Sequence, residues 1–108
     1  MNIQFTARHF HASESLRDNI TDRAEDLTKF YENIISAHII LDAEDTLRQK
    51  AEVVVSTRKK SIAGKAQDEK MGRAIDAAFD KVERQLKKIN EKIKGHKEKG
   101  LKNSLPDD

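Results

Sequence analysis

A two-layer α+β domain, a four-stranded sheet with two helices on one face, is the fold this sequence predicts. Four segments alternate apolar and polar residues in the manner of half-buried strands. Two longer segments repeat apolar residues every three or four positions, and the 108 residues suffice for one core but not two. The order is βαβββα, and elements with a single apolar face bury it most economically in two layers.

The first strand is carried by Ile3, Phe5 and Ala7, separated by polar neighbours over residues 2–8. Ser13 is the expected N-cap of the first helix. In that helix Leu16, Ile20, Ala24, Leu27 and Tyr31 share one face, and Asn33 ends the pattern. SAHIILDAE, residues 36–44, reads as the second strand. In KAEVVVST, residues 50–57, Ala51, Val53 and Val55 are expected inward, with Glu52, Val54 and Ser56 outward. RKKS, residues 58–61, has hairpin length. IAGKAQ then turns Ile62, Gly64 and Ala66 inward, small enough for a helix to pack close to the sheet.

Asp68 is the candidate N-cap of the second helix. Its Met71, Ile75, Ala78, Val82, Leu86, Ile89 and Ile93 hold one side at a mean spacing near the α-helical period. That spacing suits docking on the chain's own sheet, whereas a period of about 3.5 would suit a coiled coil. Gly95 is the expected stop. The sequence thus divides into a domain over 1–95 and a tail over 96–108, too poor in apolar residues to fold.

Composition narrows the function. Charged residues make up 37% and aromatics 5%, so a mostly aliphatic core is expected. With no cysteine, disulfides, thiolate metal sites and cysteine nucleophiles are excluded. The opening MNIQFTARHF has neither a long apolar run nor a basic leader, so a cytoplasmic protein without signal peptide or membrane span is expected. No nucleophile elbow, phosphate loop or spaced carboxylate pair is present. His9 and His11 lie two apart and His38 begins another strand, and a metal site needs at least three convergent ligands. The expectation is no enzyme, no cofactor, no metal and no small-molecule substrate.

The formal net charge is +2, but it is unevenly spread. Residues 1–80 hold 12 Lys/Arg against 14 Asp/Glu, while residues 81–102 hold nine Lys/Arg against three Glu. On a helical wheel Lys70, Lys81, Arg84, Lys88 and Lys92 form a stripe beside the apolar face, and Asp76, Asp80, Glu83 and Glu91 lie mostly elsewhere. One reading is a solvated face, supported by helix-stabilising pairs such as Glu83–Lys87 and Glu91–Lys94. The other is a cationic rail. A purely solubilising surface gains nothing by segregating sign, and such a stripe could follow a phosphate backbone for about 30 Å.

AIDAAFDKVERQLKK, residues 74–88, resembles the second-helix signature of the ribosome hibernation-promoting factors, also called ribosome-associated inhibitor or sigma-modulation proteins. NIQFTARHFHASESLRDNITDR, the HIIL strand and the KAEVVVST strand match the family's order and spacing, so the resemblance runs from Asn2 to Lys94. It implies a fold like the double-stranded-RNA-binding domain. It also implies a translation inhibitor of stress and stationary phase that enters the small ribosomal subunit and occupies the decoding channel of messenger and transfer RNA. The implied partners are that subunit and its rRNA, with a separate ribosome-dimerising factor as a further one. Lys81, Arg84 and Lys88 match family basic positions best, followed by Arg23 and Lys29 on the first helix, with Lys87 and Lys92 similar in character.

The chain departs from the family at Gly72, where an aromatic is usual, and at Asp26, where lysine is frequent. The long form's dimerisation domain has no counterpart in these residues, so a short-type member is expected. Two other readings remain open: a protein-binding module acting on a sigma factor or polymerase, and a generic binder of structured RNA.

Overall fold

The computed structural model describes residues 1–98, with side-chain surroundings as far as Asn90. The elements are β1 (Asn2–Arg8), α1 (Glu14–Asp26), a 3-10 turn (Leu27–Lys29), β2 (Ile34–Asp42), β3 (Gln49–Thr57), β4 (Ser61–Asp68) and α2 (Met71–Glu98). The order is the βαβββα of the sequence reading, in an α+β fold. The sheet order is β1-β2-β3-β4, with β1 parallel to β2 and the other pairs antiparallel. A parallel neighbour requires a crossover, and α1 supplies it.

Register explains the core. Phe5, Ile39, Val53 and Gly64 stand in one cross-sheet row, and Ala7, Leu41, Ala51 and Ala66 in another, all toward the helices. Ile20, Ala24 and Leu27 from the first helical segment and Ala74, Ala78, Phe79, Val82 and Leu86 from α2 close over these rows as one cluster. The opposite face stays open and carries His38, Ile40, Glu52, Val54 and Lys65.

Gly64 sets the distance between layers. A Cβ there would run into the Ala78 carbonyl oxygen and lie 3.0 Å from Lys81 Cβ. The absence of a side chain therefore lets α2 rest against β4, as the small residues of IAGKAQ suggested.

Four details differ from the expectation. First, α1 ends at Asp26, and the Leu27–Lys29 turn tightens the chain so that Leu27 and Tyr31 are still buried. Second, Asp68 closes β4 and accepts the Lys70 N–H at 3.0 Å, and α2 starts three residues later at Met71. Third, the buried arc of α2 is wider than the wheel face, because Ala74 and Phe79 join it. That helix packs on the sheet and also faces α1, so one narrow stripe does not suffice. Fourth, Gly95 does not stop α2, which continues to Glu98. A glycine in a helix costs about 1 kcal/mol relative to alanine without forbidding it. The tail expected from residue 96 lies, from residue 99 on, outside the described residues.

Candidate nucleic-acid interface

The helix that bears the cations is fixed on both flanks. On the β4 side, Lys81 Nζ donates to the Lys65 carbonyl at 2.5 Å, and one turn later Gln85 Nε2 donates to the Ala63 carbonyl at 2.9 Å. These are edge carbonyls of a strand with only one neighbour, and two side chains one helical turn apart cover two acceptors two residues apart. Such covering discourages another strand from adding to the edge. α2 therefore runs antiparallel to β4, with Arg84 and Lys88 exposed beyond that edge.

On the α1 flank the charges are opposite. Arg23 Nη1 meets Asp76 at 3.0 Å, and Nη2 meets Asp80 at 3.1 Å and Glu83 at 3.3 Å. Its guanidinium carbon also lies 5.1 Å from the centroid of the buried Phe79 ring. Asp76, Asp80 and Glu83 follow i, i+4, i+7 spacing, so one planar donor fork from α1 collects the acidic side of α2. Further along, Lys87 Nζ stands 5.1 Å over the Phe30 ring, and Lys29 pairs with Asp26 at 3.5 Å.

The seven basic residues singled out from sequence thus do not form one patch. Lys81, Arg84 and Lys88 share the β4 side of α2, with Lys81 partly engaged by the sheet edge. Lys87 and Lys29 lie on the α1 side, near the 3-10 turn. Arg23 is half-buried at the seam between the helices, its guanidinium held by three carboxylates and set against a ring. Lys92 lies on α2 with its side chain outside the described residues.

Sequence reasoning missed the cations of the β3–β4 tip, Arg58, Lys59 and Lys60, all exposed. The signal was three consecutive basic residues in a connection otherwise read for its length alone.

At the other end of the sheet, the histidines do not converge. His38 Nε2 bonds Thr6 Oγ1 at 2.8 Å, and His11 is exposed before α1. His9, with φ of 53°, brings Nδ1 to 3.3 Å from Asp42, beside Glu44. The Asp42 carboxyl is held below its ordinary range chiefly by the Glu44 backbone N–H at 2.9 Å, with His9 adding to the effect. His9, Asp42 and Glu44 each place one potential metal-ligand atom within 4.8 Å of the others. Among the described residues no helix is long and apolar enough to cross a membrane.

Comparison with known proteins bears on the family and the fold. A protein of Pseudomonas putida named ribosome hibernation promoting factor is 30% identical over 92 residues, covering 85% of this chain and 89% of its own. A Klebsiella oxytoca protein of the same name is 29% identical over 96 residues, covering 89% of this chain and all of its own. A ribosomal subunit interface protein from Coxiella burnetii has the same fold, with a TM-score of 0.75, 24% identity and coverage of 83% of this chain and 98% of that one. Residues 3–94 match the profile of the Sigma 54 modulation protein / S30EA ribosomal protein family, and the chain belongs to that family.

Proposed function

We propose that the protein is a ribosome hibernation factor: it binds the small ribosomal subunit through rRNA backbone contacts, occupies the decoding channel and so competes with messenger and transfer RNA. The observation that supports this most is the separation of charge across α2. Its acids are gathered by Arg23 on one flank, and Arg84 and Lys88 stand exposed on the other. Relatives named ribosome hibernation promoting factor, matched along most of their length, support the same reading.

The mechanism is occupancy without chemistry. Cations displace counterions condensed on the rRNA, so affinity falls steeply as salt rises. Arg84 is suited to bidentate contact with a phosphate, while Lys88 supplies a flexible point charge. Contacts of this kind read A-form backbone and shape and make little use of base identity. Action on ribosomes places the protein in the cytoplasm. Lys29, Lys87 and Lys92 fit the same role as outlying contacts, and Arg23 fits the role of an internal clamp.

The test is co-sedimentation of the purified chain with small subunits at two salt concentrations, together with inhibition of cell-free translation. The parent is expected to co-sediment at low salt and dissociate at high salt. An Arg84→Glu, Lys88→Glu double variant is expected to lose at least tenfold in affinity with an unchanged melting temperature, since both positions are exposed. Co-sedimentation of that variant at the parent's level would overturn the rail. Nuclease-resistant binding to ribosome-free polymerase would instead favour a protein-binding module.

A further inference from the structure

The β3–β4 connection is a concentration of charge built on a rigid base. Arg58, Lys59 and Lys60 are consecutive and exposed, and no described residue forms a salt bridge with them. A hairpin needs no charge at its tip; turn residues such as Asn and Gly serve it best. Three adjacent cations repel one another and weaken the turn they occupy. Yet the backbone here is firmly held by Thr57, which is only 8% exposed. The Thr57 N–H and hydroxyl both donate to the Lys60 carbonyl, each at 2.9 Å. The same hydroxyl accepts the N–H groups of Lys59 and Lys60 at 3.2 and 3.1 Å. The loop is therefore ordered at its base while its three side chains face water.

The tip also lies where it can act with α2. Lys81 is level with Lys65 and Gln85 with Ala63. One further turn of helix, about 5 Å, brings Lys88 level with Ser61, the residue that follows the tip. Tip and rail thus share one end and one side of the domain, separated by the edge of β4. The rail runs along a helix axis, whereas the tip is a compact cluster on another element.

We propose that Arg58, Lys59 and Lys60 form a second arm of the interface, which engages a phosphate backbone segment distinct from the one followed by α2. The partner surface is then folded RNA that presents two backbone segments side by side. This rests on the rRNA reading above. RNA is favoured over an acidic protein because cations dominate this end of the domain, where the exposed large apolar side chains among the described residues are only Ile35 and Met1. A protein interface needs an apolar centre, whereas counterion release needs only charge.

The experiment compares the full chain, an Arg58→Ser, Lys59→Ser, Lys60→Ser variant and the Arg84→Glu, Lys88→Glu variant. Each is titrated against purified small subunits and against protein-free small-subunit rRNA over a salt series. The tip variant keeps Thr57, so its melting temperature is expected to match the parent's. A Lys59→Gln, Lys60→Gln pair carries the test should the triple variant melt earlier. The expected result is weaker binding of the tip variant to both targets, with the salt slope reduced by roughly 2.1–2.7, since each of the three phosphate contacts contributes about 0.7–0.9. Parent-like affinity and slope for the tip variant overturn the second arm and leave the rail intact. Loss on subunits without loss on free rRNA also overturns it, because the tip then meets a ribosomal protein. Failure of the parent to bind either target overturns the rRNA reading itself.

Discussion

At Gly64 a side chain has no room, because α2 passes directly over the backbone; at Gly72, eight residues on, a Cβ would meet nothing within 4 Å. The two glycines are therefore expected to answer alanine substitution in opposite directions. Gly64→Ala forces helix and sheet apart and is expected to cost about 1–3 kcal/mol, the range for overpacking. Gly72→Ala removes a poor helix former from the first turn of α2 and is expected to add up to about 1 kcal/mol. Urea unfolding of both variants checks the pair, and equal shifts of one sign would contradict the close approach at β4. Sequence alone marked Gly64 as an inward-facing small residue, because strand alternation is local information. It could not distinguish the two destinations of a cation on α2. Lys81 and Arg84 both read as stripe, yet Lys81 reaches a strand carbonyl and Arg84 does not, and that depends on where β4 ends in space.

Between elements, Arg23 decides how the two helices stand. Its fork joins α1 to three carboxylates on α2 and lies against Phe79. Removing it as Arg23→Ala leaves Asp76, Asp80 and Glu83 to repel one another. The expected loss is about 1–2 kcal/mol, from partly exposed ion pairs and one cation–π contact. Because these charges are reached by solvent, the loss is expected to shrink at high ionic strength, where screening weakens pairs and repulsion alike. Urea unfolding of parent and variant at low and high salt measures this, and a salt-independent loss would contradict the clamp. Ribosome association of the variant at low temperature is expected to persist. The existence and order of the elements were legible because each has one apolar face with a clear period. The role of Arg23 was not, because a wheel drawn for α2 contains no α1. Family resemblance placed it among the RNA contacts, and the geometry adds its ion pairs to three carboxylates of α2.

For the whole molecule, the layering of charge follows from the topology. On the α1 side of α2 one arginine meets three carboxylates and leaves that cluster net negative, and the β4 side and the hairpin tip hold exposed cations at one end of the domain. A chain with a formal charge of only +2 thereby presents a strongly positive surface in one place. The sequence showed that positive charge accumulates after residue 80. The contribution of residues 58–60 needed the fold, since only the antiparallel run of α2 along β4 brings those segments together.

The parallel β1–β2 pair has a further consequence, for the order in which the protein assembles. Asn2 meets Ser36 and Arg8 meets Asp42 across 34 residues of chain, whereas Ser56 and Ser61 meet across five. Closing a long loop costs entropy before any contact compensates it, so such pairings form late. The β3–β4 hairpin with α2 is the local half of the molecule, and β1 is expected to join last and open first. Native-state hydrogen exchange is expected to show the β1 amides exchanging ahead of those of Val53 and Val55, whereas uniform protection across the sheet would show that the domain opens as one unit. The strand that precedes the other three in the chain would then be the last to find its place in the fold.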